Sequence, residues 1–132
     1  MSQENVEIMR QWIALSNAGD TPAILDLLDP DIECFPAENE PEASVFRGRD
    51  AYARRALDAR ESFGQHQIEV DEYIDLGEYV AVAATIHARG RRSQAEVSGE
   101  EVWLCRFRDG KVVEYRECGT KERALQVAGL RE

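Results

Sequence analysis

At 132 residues, 43% of them apolar and 32% charged, the chain has the length and balance of one globular domain that builds its own core, which excludes disordered and fibrous classes. A formal net charge of −10, from 26 acidic against 16 basic residues, repels phosphate backbones and anionic surfaces, so neither nucleic acid nor membrane is expected as a partner. Cys34, Cys105 and Cys118 lack paired or histidine-rich spacing, which points to reduced thiols rather than a disulfide framework or a metal site, and no cofactor is expected. No apolar run approaches membrane-spanning length, and Met1 leads into a polar helix start rather than a basic and then apolar leader. A cytoplasmic protein is therefore expected.

In chain order, the first helix is expected over residues 2–18, capped by Ser2 and stopped by Gly19. Val6, Met9 and Ile13 recur at helical spacing, with Ile8, Trp12 and Leu15 as an adjoining stripe; so broad an apolar face packs against something large. Thr21 as cap and Pro22 at the first helical position start a short second helix that buries Ile24, Leu25, Leu27 and Leu28. A strand over 32–35 follows, and then an acidic, proline-containing loop at 36–44, placed as lid or rim. A third helix runs from a cap at Asp50 to a stop at Gly64, with Tyr52, Ala56, Leu57 and Phe63 among its buried positions.

Strands then take over. The even positions from His66 to Leu76 keep a period of two, interrupted by Glu72. After a turn at 76–78, the segment 79–89 is apolar on both faces in its first half, with Val80, Val82, Ala84 and Ile86 against Ala81 and Ala83, as a central strand requires. A polar connection over 89–98 leads to the segment 100–118, where Asp109-Gly110 between alternating runs marks a hairpin. A two-residue loop sets Phe107 opposite Val112, Cys105 opposite Glu114 and Trp103 opposite Arg116, mixing apolar and charged residues on one face. A three-residue loop with Gly110 as bulge sets Cys105 opposite Val113, Trp103 opposite Tyr115 and Glu101 opposite Glu117. It leaves one face apolar and aromatic, and is preferred for that reason. Two carboxylates then stand about 5 Å apart at Cβ, so one of them is expected to hold its proton. Thr120 caps a last helix that stops at Gly129. The order of elements defines an α+β fold, with helices on one face of a curved antiparallel sheet, in a single domain over residues 1–132.

Several stretches together resemble the nuclear-transport-factor-2-like, or SnoaL-like, superfamily of cone-shaped domains: the first helix ending in NAGD, the strand DPDIECFP, the helix entry FRGRDAY, the meander VDEYIDLGEYVAV and the hairpin RDGKVVEYRE. The resemblance implies a pocket between the concave face of the sheet and the helices, commonly in a homodimer. It leaves the reaction open, because the superfamily includes ketosteroid isomerase, limonene epoxide hydrolase, polyketide cyclases and members without known catalysis. Against the isomerase, Trp12 stands where a tyrosine helps hold the enolate, and Cys34 stands where an aspartate is the general base. Against the hydrolase, Glu117 in Tyr115-Arg116-Glu117 matches one catalytic aspartate, while Ala84 and Ile86 fall near its arginine and second aspartate.

Two readings follow. In the first, the chain performs acid–base chemistry of isomerase, cyclase or epoxide-hydrolase type on a small apolar molecule. Glu117 and Glu101 are then its catalytic carboxylates, and Trp12, Cys34, Tyr52, Trp103, Cys105 and Tyr115 its pocket. In the second, the same cone is a ligand-binding or dimerising module without chemistry, in which both glutamates are solvated rim residues, the aromatics are core and Cys34 and Cys105 are small apolar fillers. A homodimer is expected through the outer face of the sheet, where Ala81, Ala83, Val102 and Leu104 would otherwise meet water together. His66 shares the parity of Ile68 and Val70, which reaches toward the cavity rim, and is read as structural rather than catalytic; His87 points away from the pocket as a surface or dimer residue, and Arg89, Arg91 and Arg92 are read as a solvated face.

Overall fold

Helix α1 (Ser2–Ala18) ends where Gly19 adopts φ +74°, a conformation a side chain resists. The Gly19 amide donates to Ser16 O at 3.1 Å and the Asp20 amide to Leu15 O at 2.9 Å, the paired reverse bonds of a Schellman stop. That stop delivers Asp20 to the next cap. Its carboxylate accepts from Ala23 N at 3.2 Å, so Asp20, rather than Thr21, caps α2 (Thr21–Leu25). The computed structural model describes residues 2–37 and 45–129, apart from the side chains at 2 and 62–65. The capping role of Ser2, the burial of Phe63 and all of the expected lid beyond Ala37 lie outside the described residues.

Six strands form one sheet in the order β2-β1-β6-β5-β4-β3. Strand β1 (Leu28–Phe35) starts well before its apolar signal at Ile32 because it lies parallel to β6 (Lys111–Glu117). Its pairing shifts register between Leu28 and Glu33, where Pro30 has no amide to offer. The other strand pairs, including β1 with the short β2 (Phe46–Arg47), are antiparallel. The sheet is therefore mixed rather than wholly antiparallel.

Helix α3 (Arg49–Ser62) passes directly into β3 (Phe63–Asp75), so Gly64 is not a helix stop but sits at a register shift inside the strand. Leu57 is 56% exposed, contrary to expectation. Tyr52, Arg55, Ala56 and Ala59 share the inward face of the helix, and at 100° per residue position 57 points away from it. A second shift in β3 makes Asp71 an extra residue between the pairs Val70–Ala84 and Glu72–Ala83. It moves Glu72 to the outer face, brings Tyr73 to the inner core and leaves Ile74 and Leu76 with the outer cluster. The interruption at Glu72 is thus a change of phase. Strand β4 (Tyr79–Gly90) is central, and its pairing with β5 (Glu96–Arg108) runs unbroken from Tyr79–Arg106 to Arg89–Glu96. The polar connection therefore shrinks to the residues 91–95.

The hairpin departs from the three-residue loop. Asp109 at φ 53° and Gly110 at φ 75° form a two-residue loop of the type I′ kind, with Arg108 opposite Lys111 and Phe107 opposite Val112. A bulge at Val113 then advances the register, setting Arg106 opposite Glu114, Cys105 opposite Tyr115 and Trp103 opposite Glu117. Glu101 and Glu117 are diagonal neighbours on one face, not a directly opposed pair.

Helices lie over the inner face of the sheet and over part of its outer face. On the inner face, α1 lies over β3 and β4 and α3 over β1 and β3, burying Met9, Trp12, Ile32, Val82 and Phe107 among others. On the outer face lies α4 (Lys121–Gly129), capped as expected by Thr120 Oγ1, which accepts from Arg123 N at 3.1 Å. Its Ala124 and Ala128 pack on Tyr79, Ala81, Ala83, Val102 and Leu104. The apolar patch assigned to a dimer interface is therefore covered by the chain itself, and that reason for a dimer is removed. Among the described residues, no helix is long and apolar enough to cross a membrane.

Candidate functional site

Between the inner face of the sheet and the helices α1 and α3 lies a cavity of about 480 Å³. Its aromatic wall is built by three elements. Trp12 of α1 stacks on Tyr115 of β6 at 5.4 Å between ring centroids and meets Tyr52 of α3 edge-on at 5.5 Å. The indole Nε1–H of Trp12 donates to the Tyr52 hydroxyl at 3.0 Å, satisfying a polar atom that burial would otherwise penalise. Burial pushes the Tyr52 and Tyr115 hydroxyls upward in pKa, so both remain neutral donors. Trp103 of β5 completes the wall, with Met9, Ile13, Ile68 and Ile86 as apolar lining.

Three carboxylates line this cavity, Asp58, Glu101 and Glu117, and the last two lie on adjacent strands of its sheet wall. Glu117 Oε1 accepts from Arg55 Nη2 at 3.1 Å and from Ala37 N at 3.2 Å, and Oε2 is 3.5 Å from the Tyr115 hydroxyl that donates to it. Glu101 Oε1 accepts from Val102 N at 2.8 Å and Gly119 N at 2.9 Å, and its Oε2 has no partner among the described residues. Burial raises the Glu101 pKa, against the opposing pull of those two amides, and the charge of Glu117 adds least. The shift comes from desolvation first, not from the direct repulsion that an opposed pair would exert.

Trp12, Tyr52, Trp103, Tyr115, Glu101 and Glu117 are among the residues that line this one cavity. Cys34 and Cys105 are not. Both are fully buried and pair with Tyr115 across the sheet from either side, behind the cavity wall. Burial raises the Cys34 thiol to about 12 and the Cys105 thiol well above its usual value, so they are apolar fillers and not bases. His66 lines the rim and His87 lies outside it, exposed beside Glu69.

Arg55 was not singled out by sequence reasoning. In the run Arg54, Arg55 and Arg60 it looks like a solvated helix face, and the helical phase of Tyr52 and Ala56 was the signal that could have turned it inward.

A six-stranded mixed sheet with helices over its inner face and an aromatic-walled cavity between them defines an α+β domain. The chain belongs to the SnoaL-like domain family, whose pattern matches residues 9–115. No curated protein sequence matches it. Among solved structures it is similar to TerC co-crystallised with polyporic acid, at TM-score 0.78 and 18% identity over 96% of this chain and 98% of that one. An NTF2-like protein from Burkholderia xenovorans aligns at TM-score 0.73 and 25% identity over 97% and 98% of the two chains. A polyketide cyclase candidate from Xanthomonas campestris aligns at TM-score 0.74 and 16% identity over 87% and 89%.

Proposed function

We propose that the cavity binds a small, largely apolar molecule and that Glu101 and Glu117 perform acid–base chemistry on it, of the isomerase, cyclase or water-adding type. The observation that carries this reading is the unequal setting of two carboxylates at one aromatic wall. Glu117 is held by a guanidinium and an amide, whereas Glu101 is desolvated with one oxygen open. A carboxyl whose pKa is raised by burial is suited to give and take a proton, and a neighbouring carboxylate fixed in place by a guanidinium is suited to stabilise positive character in the transition state. TerC, of the same fold, holds an organic molecule, which supports a ligand here.

The alternative is a binding or dimerising module. It is favoured by the position of the isomerase base, here the inert thiol of Cys34. Two measurements separate the readings. Binding of the uncharged probe N-phenyl-1-naphthylamine should quench the tryptophan emission, and Trp103→Phe should reduce that quenching. With enone and epoxide substrates, Glu101→Gln and Glu117→Gln should each lower turnover roughly a hundredfold or more while the probe still binds. Probe binding without turnover by the wild type on any of these substrates would leave the binding module. Unchanged quenching in Trp103→Phe would place the pocket elsewhere.

A further inference from the structure

The cavity wall has a second polar end that the acid–base reading does not use. Arg60, at the end of α3, lines the cavity beside His66 of β3. Its guanidinium lies on the backbone of Gly19, where a Cβ would fall 1.9 Å from Arg60 Nη1. The glycine that stops α1 thus also leaves room for the guanidinium, and the end of α3 is tied down by Arg91 Nη2, which donates to Arg60 O at 3.1 Å. Neither the Arg60 guanidinium nor the His66 ring has a hydrogen-bond or ion-pair partner among the described residues. Asp58, which also lines the cavity, is already engaged. Arg55, the other cavity arginine, is paired with Glu117.

The charges are segregated along the strands. Glu101 pairs with Ala84 and His66 with Ala88, a separation of four residues on β4, or about 13 Å along the sheet at the usual rise. An elongated ligand in this cavity meets Glu101 and the Arg55–Glu117 ion pair at one end and, at the other, an arginine without an ion-pair partner among the described residues, so an anionic substituent is favoured at the second.

We propose that the ligand is amphipathic, with a carboxylate or equivalent anionic substituent held by Arg60 and His66 and its apolar body directed toward Trp103 and Glu101. The proposal rests on the reading of the cavity as a ligand site, and its test distinguishes the two. 8-Anilinonaphthalene-1-sulfonate and N-phenyl-1-naphthylamine share one apolar skeleton and differ by an anionic group. At low salt, Arg60→Ala should weaken the sulfonate probe about fivefold, the size of an exposed charge contact, and leave the neutral probe unchanged. Arg60→Gln should behave alike and Arg60→Lys should retain most of the affinity, with circular dichroism checking the fold of each. The sulfonate should also displace the neutral probe. Equal effects of Arg60→Ala on both probes, no effect on either, or failure of the probes to compete would overturn the proposal. If the wild type binds neither probe, the ligand-site reading itself fails.

Discussion

Removing the guanidinium of Arg55 tests whether Glu117 is held in place for chemistry or merely happens to lie nearby. The two side chains meet at 3.1 Å with 38% and 17% of their surfaces exposed, between the fully solvated and fully buried limits. With charge centres roughly 4 Å apart, the attraction is about 1 kcal/mol in water and about 4 kcal/mol at an effective dielectric of 20. Side-chain ordering and screening reduce this, so a coupling of about 1–2 kcal/mol is expected. Arg55 has contacts besides Glu117, and Arg55→Leu alone would mix them all. A double-mutant cycle with Glu117→Gln isolates the pair, provided each single change removes only that interaction. Urea unfolding of the four proteins at pH 7 should return the coupling, and it should shrink in 0.5 M salt, a choice of about three to five times physiological ionic strength. A coupling below about 0.3 kcal/mol, within the range of independent sites, would refute the claim that Arg55 fixes the carboxylate. An opposed carboxylate pair would gain stability from Glu117→Gln, but this carboxylate is held by a guanidinium and an amide. Glu117→Gln should cost stability, not add it.

Glu101→Gln should act in the other direction. Its folded pKa is raised mainly by burial, so the native state is penalised as pH rises past the ordinary carboxyl value and carries the full penalty above the folded one. The glutamine oxygen can still accept from Val102 and Gly119, so the variant should be more stable than wild type at pH 7 and indistinguishable from it at pH 3.5, about a unit below the free glutamate value; equal urea midpoints at both pH values would contradict the shift. Trp12→Phe removes the donor to the Tyr52 hydroxyl and part of the stack on Tyr115, at a cost of about 2–3 kcal/mol in thermal or urea unfolding, and a loss under 0.5 kcal/mol would mean the hydroxyl finds water instead. Ending the chain at Gly119 removes α4 and uncovers Ala81, Ala83, Val102 and Leu104, so light scattering should report self-association of the shortened chain beyond that of the full one. An unchanged mass would show that α4 is not what shields that face.

The composition, the helix punctuation and the strand periodicities are local properties, and they carried most of the fold. Gly19 stops α1, Thr120 starts α4, and the two-sided apolarity of 80–84 marks a central strand, because each signal depends on residues within one turn or one pleat of each other. The aromatic wall was legible for the same reason: Trp12 lies in a helical stripe and Trp103 alternates with apolar neighbours. What only the tertiary structure decided were the phase changes. Each candidate register for the hairpin assumed a constant slip, yet Val112 and Tyr115 face inward together only because Val113 is extra. Asp71 plays the same part in β3. A bulge inverts every later side chain while leaving the alternation itself intact, so no pattern within one strand reveals it; the partner strand does. The same holds for Arg55, for the parallel entry of β1 and for α4 over the outer face. Each depends on which distant surface a residue meets once the sheet has curled, and a sequence lists residues in order, not the surfaces that face them.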